Sequence, residues 1–378
     1  MISPEALAQR YIPFSSLRYS TEAFIDYCIP ECMPKFNYAL IGPGVSQNPN
    51  QPISLREHHG FQVGGVSIPH GKINTPHMHF TCEVFICAKG QWNLNWGFNP
   101  DHLSAPLGEF DIASIPTWLY RGFTNTGPDD GFLFTVLGGD NTGGILWGPS
   151  TLAAAQKNGV FLTEDYQIID TNRGEQLPAG KQMLAPMTAE QIGMLRVWSL
   201  AQMQQRMVRF NDLAWSTHGL LDSAIAGCGS QIAPVIGLGV TQDRNAVAPI
   251  SNAHGVSIEW LRVPIGGCVS PHTLSEKQVL IAKRGKLKVT VATTEGDVAY
   301  AICGAQSAWD TFSVPPDSKR SFANIGEEDC FVLMLTAGDH RKHIRWSDET
   351  LANAQSNGLG FDASGFVAPQ ALINLAQK

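Results

Sequence analysis

Two histidines and a glutamate stand at a spacing that could hold a metal ion. The segment reads Gly71-x5-His77-x-His79-x3-Glu83-x6-Gly90. On a β-strand, residues i and i+2 point to the same face, so both imidazoles would lie side by side. A carboxylate a few residues later completes a set of two histidines and one carboxylate, which leaves coordination positions open for substrate and oxygen. We therefore predict that these three residues bind one divalent metal, with Fe(II) favoured and Mn, Ni or Zn as alternatives.

The sequence that surrounds this motif occurs twice in the chain, as an internal repeat. Ile41–Gln47 recurs as Ile236–Gln242, and Thr151–Gly159 recurs as Thr350–Gly358. The offset between the copies is 195 residues in the first match and 199 in the second. The growth of the offset indicates a four-residue insertion in the second copy, in the loop that corresponds to 90–111. A repeat of this length indicates two copies of one structural unit.

Each copy is predicted to consist mostly of β-strands. Trp92, Leu94 and Trp96 alternate with polar residues, which is the period-two pattern of a half-buried strand. The 378 residues include 37 glycines and 23 prolines, a content that favours tight turns and an all-β sandwich or barrel over a helix bundle. Because 43% of the residues are hydrophobic, each copy can bury a core of its own.

Short helices are predicted to flank the strands. One helix closes each copy, capped by Ser150 or Ser347 and stopped by Gly159 or Gly358. At the start of the chain, Ser3 precedes a proline and a glutamate, which is typical of a helix N-cap with proline at the first helical position.

The repeat also predicts the domain boundaries. We assign the first barrel to 1–169, a linker rich in Gly, Pro, Asn and Gln to 170–187, and the second barrel to 188–378. Thr188–Gln191 reads as a capping box that opens a helix to about Met207. We expect that helix to pack on the second barrel or to bridge the two.

Composition and charge restrict the partners and the location. The net charge is −7 and only 16% of the residues are charged, so nucleic acid is not an expected partner. No apolar run approaches the roughly 18 residues that span a membrane, and the first residues lack the pattern of a signal peptide. We expect a cytoplasmic protein whose eight cysteines are reduced and mostly buried.

The segment from Gly71 to Gly90 resembles the first motif of the cupin superfamily. The second cupin motif, Pro-x-Gly-x-x-His-x-x-x-Asn, is similar to Pro116–Asn125, in which the proline and the asparagine match. Trp118 stands where the motif has glycine, and Arg121 stands where it has the fourth ligand, a histidine.

The second copy also resembles a cupin, in a degraded form. It keeps His272, but Leu274 replaces the second imidazole and Gln278 replaces the carboxylate. Arg320 stands where the later ligand histidine would be. Since the anionic ligand is gone, we expect the second barrel to be metal-free and to serve stability, dimerisation or a lid function.

The resemblance covers both halves and implies a bicupin: two tandem double-stranded β-helix barrels of the jelly-roll type. Members of the superfamily include gentisate- and quercetin-type dioxygenases, oxalate decarboxylase, lyases, isomerases and storage proteins, so the fold does not determine the chemistry. We expect a homodimer or higher homo-oligomer that acts as a metal-dependent dioxygenase on a small carboxylated aromatic or keto acid. The alternatives are a lyase, decarboxylase or isomerase that needs no oxygen, and a metal-free binding protein.

Arg121 and Tyr120 are the predicted catalytic residues beside the metal. A guanidinium cannot ligate a metal but can hold a substrate carboxylate bidentately. We therefore predict that Arg121 clamps an anionic substrate, while Tyr120 and Trp118 line the mouth of the pocket. In the alternative, Arg121 turns outward or pairs with Glu83 itself, and the barrel then holds no metal.

Overall fold

The chain divides into two compact units in the computed structural model, which describes residues 1–98 and 102–376. Arg18–Asn211 forms one unit, called here the first barrel. Met1–Leu17 and Asp212–Lys378 form the other, the second barrel. The division differs from the predicted boundaries at both ends of the first barrel.

The N-terminal segment belongs to the second barrel because of one buried side chain and one strand pairing. Helix α1 (Pro4–Ala8) has Ser3 as its N-cap, as predicted, and the Ser3 hydroxyl accepts a hydrogen bond from the Ala6 N–H at 3.3 Å. Leu7 is fully buried in the core of the second barrel. Strand β1 (Tyr11–Ile12) pairs antiparallel with the strand Thr311–Val314 of that barrel.

Within the described residues, the first barrel contains two large sheets and one two-stranded sheet. Its elements are β2 (Tyr19–Ser20), β3 (Phe36–Ile41), β4 (Ile53–Leu55), β5 (Phe61–Ile68), β6 (Ile73–His79), β7 (Glu83–Lys89), β8 (Trp92–Trp96), β9 (Leu103–Leu107), β10 (Ile112–Ile115), β11 (Arg121–Asn125), β12 (Gly131–Gly138), β13 (Ile145–Trp147), α2 (Pro149–Lys157), β14 (Val160–Leu162), β15 (Ile168–Asp170), α3 (Ala189–Gly193), α4 (Leu200–Gln204) and β16 (Met207–Val208). One large sheet has the order β16-β10-β7-β12-β5-β3-β2, with β4 on β3, and the other has the order β13-β6-β11-β8-β9. All pairings are antiparallel except β3–β4.

The second barrel repeats this plan, except that one strand of 16 residues replaces β7 and β8. Its elements are β17 (Gln231–Ile236), β18 (Val256–Val263), β19 (Cys268–Thr273), β20 (Gln278–Thr293), β21 (Gly296–Ala305), β22 (Ala308–Trp309), β23 (Thr311–Val314), β24 (Arg320–Asn324), β25 (Cys330–Ala337), β26 (Arg345–Trp346), α5 (Asp348–Ser356), β27 (Leu359–Phe361), β28 (Val367–Pro369) and α6 (Gln370–Ala376). The main sheet has the order β17-β18-β25-β20-β24-β19-β26. The predicted four-residue insertion falls between Ile302 and Thr311, around the β21–β22 turn, because the β20–β21 hairpin matches the β8–β9 hairpin in length.

The period-two pattern is confirmed on β8. Trp92 and Leu94 are fully buried and Trp96 is nearly so, in the core of the first barrel. The equivalent face on β20, formed by Leu287, Val289 and Val291, is fully buried in the second barrel. Burial of one face of each strand is the main source of stability of such sheets.

The two closing helices start differently. Helix α5 is capped by Ser347, as predicted. Helix α2 begins two residues earlier than expected: Gly148 is its N-cap, so the prediction for Ser150 is wrong. Pro149 at the first helical position presets the helical φ and makes a side-chain cap unnecessary. Gly159 and Gly358, with φ of 75° and 73°, follow the helix ends as expected.

The segment after Asp170 packs on the first barrel, contrary to the prediction. The capping box between Thr188 and Gln191 is confirmed, but α3 ends at Gly193 instead of near Met207. A second capping box, which begins at Ser199, starts α4. Met203 of α4 is fully buried in the core of the first barrel, and β16 pairs with β10. Burial of this side chain and the added strand decide which barrel the segment joins.

Candidate metal centre

The three predicted ligands come together inside the first barrel. His77 and His79 lie on β6, and Glu83 is the first residue of β7. Their ligating atoms all lie within 4.8 Å of one another, and His79 Nε2 is 3.6 Å from Glu83 Oε2. All three side chains are buried. The i, i+2 spacing on one strand and the short turn to the next strand therefore assemble the cluster.

Backbone carbonyls set the tautomers of the two imidazoles. His77 Nδ1 lies 2.8 Å from the Thr75 carbonyl oxygen, and His79 Nδ1 lies 3.2 Å from that of Gly144. Because a carbonyl only accepts, each Nδ1 carries the proton and each Nε2 keeps a free lone pair. Burial, together with the nearby positive charge of Arg121, holds both histidine pKa values well below their usual range. Both rings are thus neutral, which is the metal-binding form.

Arg121 is bound to Glu83 and not to an open site. It is the first residue of β11, paired across the sheet with His77 of β6, and its side chain is fully buried. Nε and Nη2 donate to Glu83 Oε2 at 3.1 and 2.9 Å. Nη1 donates to the carbonyl oxygens of His77 and Leu119, each at 3.4 Å. The structure therefore supports the alternative in which Arg121 pairs with Glu83, and it does not support the substrate clamp.

The ion pair leaves the donor set complete. Both short contacts from Arg121 end on Oε2, which also lies 3.6 Å from His79 Nε2, so the guanidinium contacts leave Oε1 of Glu83 and further lone-pair capacity on the carboxylate. Burial raises the pKa of Glu83, and the guanidinium opposes that shift. Two neutral imidazoles and one carboxylate oxygen fit Fe(II), Mn(II), Ni(II) or Zn(II). The expectation that this pairing would by itself exclude a metal does not follow from the geometry.

A cavity of about 80 Å³ lies against the three ligands. Its wall includes three polar side chains that the sequence motifs did not indicate: Tyr38 on β3, Gln62 on β5 and Thr135 on β12. These residues are far from the motif in sequence, and only the pairing of β3, β5 and β12 beside β7 brings them to it. Apolar wall residues include Phe24, Phe123, Leu137, Ile145 and Trp147.

The two aromatic residues predicted at the mouth of the pocket, Tyr120 and Trp118, do not line this cavity. Among the described residues that line this cavity, Phe123 is present, whereas Tyr120, Trp118 and Arg121 are not. Tyr120 and Trp118 line a separate cleft of about 250 Å³, and the Tyr120 hydroxyl lies 3.2 Å from Met187 Sδ. Burial raises the pKa of Tyr120 to about 12. Tyr120 therefore does not line the cavity at the three ligands, although its hydroxyl donates to the carbonyl oxygen of Trp147, which does.

Comparison with known proteins gives the fold. No family model matches the chain, and no curated protein matches it. A solved oxalate decarboxylase variant from Bacillus subtilis aligns with a TM-score of 0.54 at 12% identity, covering 93% of this chain and 81% of that chain. Vicilin from Capsicum annuum aligns with a TM-score of 0.54 at 11% identity, covering 89% and 88%. An oxalate decarboxylase from Lactobacillus farciminis, solved as a formate complex, aligns with a TM-score of 0.53 at 11% identity, covering 90% and 89%.

The fold is that of a bicupin. The structures it resembles include enzymes and vicilins, so the fold alone carries no activity. A structure of the Bacillus subtilis decarboxylase describes Mn(II) centres in that enzyme. None of the described helices has the length and apolar character that crossing a bilayer requires.

The second barrel keeps one of the two histidines of the cluster and lacks its carboxylate. His272 is buried, and its Nδ1 lies 2.8 Å from the Ser270 carbonyl oxygen, as in His77. Gln278 donates to Thr336 Oγ1 at 3.3 Å. Arg320 donates to three backbone carbonyl oxygens at 2.7–3.2 Å, with no carboxylate in the position of Glu83. An arginine at this point of the fold can therefore be held by backbone alone, which favours a structural role for it in both barrels.

A buried carboxyl group in the second barrel makes its stability depend on pH. Both oxygens of Glu259 accept from the Val240 N–H, at 2.9 and 3.1 Å. Burial raises the pKa of Glu259 from 4.5 to about 8, against a smaller opposing effect of Lys342. Between these two pKa values the folded state holds a proton that the unfolded state lacks. The free energy of unfolding should therefore fall as pH rises, by at most about 1.4 kcal/mol per pH unit.

We expect Glu259→Gln to stabilise the second barrel more at pH 8 than at pH 5. The amide oxygen of glutamine can still accept from Val240 and does not titrate. Urea unfolding at the two pH values measures the effect, and Glu327→Gln, at an exposed glutamate of the same barrel, is the control. An equal effect of Glu259→Gln at both pH values would contradict the raised pKa.

Proposed function

We propose that the first barrel of this bicupin is a metal-dependent enzyme that acts on a small carboxylated compound. The main support is the cluster of His77, His79 and Glu83, whose ligating atoms lie within 4.8 Å of one another and beside a cavity. Oxidation with Fe(II) and oxygen is the leading reaction, because two histidines and one carboxylate leave positions open for both substrate and oxygen.

The protein residues have distinct tasks at this centre. Thr75 and Gly144 carbonyl oxygens orient the imidazoles so that their Nε2 atoms face the site. Arg121 fixes the Glu83 carboxylate by donating to Oε2, the oxygen that lies 3.6 Å from His79 Nε2. When bound, the metal supplies a Lewis acid with free coordination positions. The buried walls, among them Phe123 and Trp147, restrict water.

The charge balance supports an anionic substrate without a clamp. Both histidines are neutral, and the charges of Arg121 and Glu83 cancel. A divalent ion would then leave two uncompensated positive charges in a buried site, which is costly. A substrate carboxylate that binds beside the metal removes part of that cost. We therefore expect a carboxylate and the metal to bind with positive coupling.

The cavity size favours a short aliphatic acid over an aromatic one. Its volume of about 80 Å³ is small, since a cavity of roughly 150 Å³ holds one benzene molecule in a well-studied case. Keto acids and dicarboxylic acids of a few carbon atoms match that space. The Tyr38 and Thr135 hydroxyl groups belong to side chains of its wall and can donate to their oxygens.

The small cavity also favours a second candidate, a metal-dependent lyase or decarboxylase. Such a reaction uses the same three ligands but needs no room for oxygen beside the substrate. A third possibility, a metal-free binding protein, uses the ion pair between Glu83 and Arg121 in place of the metal.

Metal analysis followed by oxygen uptake tests the proposal. Protein purified without added metal should carry about one equivalent of a divalent metal per chain. A panel of short keto acids and dicarboxylic acids should then give turnover, with oxygen consumption for an oxygenase and carbon dioxide release without it for a decarboxylase. Metal content below about a tenth of an equivalent, unchanged after incubation with Fe(II) or Mn(II), would favour the binding protein.

A further inference from the structure

Two cysteines of the second barrel lie in direct contact. Cys228 Sγ and Cys268 Sγ are 3.1 Å apart. The Cys268 N–H donates to the Cys228 carbonyl oxygen at 3.2 Å, so the two backbone segments are held side by side. Cys228 is buried, whereas Cys268, at the start of β19, is partly exposed. A disulfide bond of about 2.0 Å needs an approach of only about 1 Å from this distance.

The bicupin repeat shows that the strands do not require these thiols. In the frame that aligns Gly71 with Gly266, Cys268 corresponds to Ile73. Ile73 begins β6 of the first barrel as Cys268 begins β19 of the second. An aliphatic side chain therefore suffices at this position for the strand to form.

A buried carboxyl group accompanies the two thiols. Asp222 is fully buried, and its Oδ2 accepts from the Ser270 N–H at 2.6 Å. Its Oδ1 accepts no hydrogen bond from any described residue. The Ser270 hydroxyl lies 3.6 Å from Cys228 Sγ, so the carboxyl group and the buried thiol both lie against Ser270. Burial raises the pKa of Asp222, against smaller opposing effects of neighbours that include the Cys228 thiol. This carboxylate is thus placed to accept a proton.

The two thiols differ in a way that assigns their order of reaction. A hydrogen bond from the Cys228 thiol lowers the pKa of Cys268, and the same contact together with burial raises that of Cys228. The partly exposed sulfur of Cys268 is therefore the better nucleophile. The buried sulfur of Cys228 is placed to attack the mixed disulfide that forms on Cys268.

We propose that Cys228 and Cys268 form a thiol–disulfide exchange site that a small disulfide compound oxidises to an intrachain disulfide. The Cys268 thiolate attacks one sulfur of the compound, RSSR; the S–S bond of RSSR breaks, and RS⁻ leaves and takes a proton from water. Cys228 then loses its proton to Asp222 and attacks Cys268 Sγ, and the second RS⁻ leaves. The protein is oxidised by two electrons, and RSSR is reduced to two RSH.

Glutathione disulfide added to the reduced full-length protein tests the site. We expect two of the eight cysteines to lose their thiols, the protein mass to fall by about 2 Da, and peptide mapping to join Cys228 to Cys268. Retention of all eight thiols, or a disulfide between other cysteines, would overturn the proposal. This measurement needs no variant, so a folding defect cannot obscure it.

Variants separate the two roles. In the Cys228→Ser variant, the reaction should end at a stable glutathione adduct on Cys268. The Cys268→Ser variant should form neither the adduct nor the disulfide. Asp222→Asn should slow disulfide closure about tenfold or more at neutral pH without slowing adduct formation. Cys303→Ser, at another partly exposed thiol of the same barrel, is the matched control and should behave like the wild type. An adduct on Cys228 in the Cys268→Ser variant would reverse the assigned order and contradict the mechanism.

Discussion

Replacing His77 by alanine is expected to lower the affinity of the first barrel for a divalent metal by more than about a hundredfold. The change removes one of two neutral imidazoles from a set of three donors. The remaining carboxylate has one oxygen occupied by Arg121, so His79 and Glu83 Oε1 alone cannot hold the ion. Titration of the purified variant with Mn(II) or Zn(II), followed by calorimetry and by metal analysis after dialysis, measures the loss.

The repeat provides a matched control for this experiment. His272 is buried like His77, has the same 2.8 Å contact from Nδ1 to a backbone carbonyl oxygen, and packs on Trp346 at 5.3 Å, as His77 packs on Trp147 at 5.6 Å. His272→Ala should therefore destabilise its barrel by a similar amount but leave the metal affinity unchanged. Equal losses of metal in the two variants would show that the effect is structural and would contradict a metal site at His77, His79 and Glu83.

A second control asks whether the ligands are sufficient. Leu274→His restores the second imidazole of the degraded motif but leaves Gln278 in place of the carboxylate. We expect no metal site to appear in the second barrel, because the anionic donor is missing. Binding of a second equivalent by that variant would show that the carboxylate is dispensable.

Replacing Arg121 by alanine is expected to reduce the free energy of unfolding of the first barrel by about 3–5 kcal/mol. The ion pair with Glu83 is fully buried, and removal of the guanidinium leaves a carboxylate with no counter-charge. The pKa of Glu83, already raised by burial, then rises further. A carboxyl group whose pKa is raised in the folded state contributes less stability as pH increases toward that pKa. The loss should therefore be larger at pH 8 than at pH 5 in urea unfolding.

Two further variants decide between a structural arginine and a substrate clamp. Arg320→Ala removes an equally buried arginine that binds only carbonyl oxygens, and we expect a smaller loss of about 1–3 kcal/mol with little pH dependence. Arg121→Met combined with Glu83→Leu should recover most of the stability, because no charge remains buried. If the Arg121→Ala variant still binds metal, its affinity for the substrate should change little. A large loss of substrate affinity would instead support the hypothesis that Arg121 holds a substrate carboxylate.

The sequence by itself determined the local parts of this protein. The spacing of His77, His79 and Glu83 predicted the cluster because i, i+2 on a strand and a short turn fix the directions of three side chains within one hairpin. The alternation on β8, the capping box at Thr188 and the duplicated frame are also features of neighbouring residues, and the structure has each of them. These features depend on backbone geometry over a few residues.

Only the tertiary structure decided what lies across the sheets. The partner of Arg121 depends on β11 packing beside β6 and β7, and a motif cannot show whether a guanidinium meets a carboxylate or a substrate. Tyr38, Gln62 and Thr135 reach the cavity, and Tyr120 leaves it, through strand pairings distant in sequence. The segments at 1–17 and 188–211 join the barrel that buries Leu7 or Met203. Burial and long-range pairing are properties of the whole fold, because the apolar surface that a side chain meets is built from residues far along the chain.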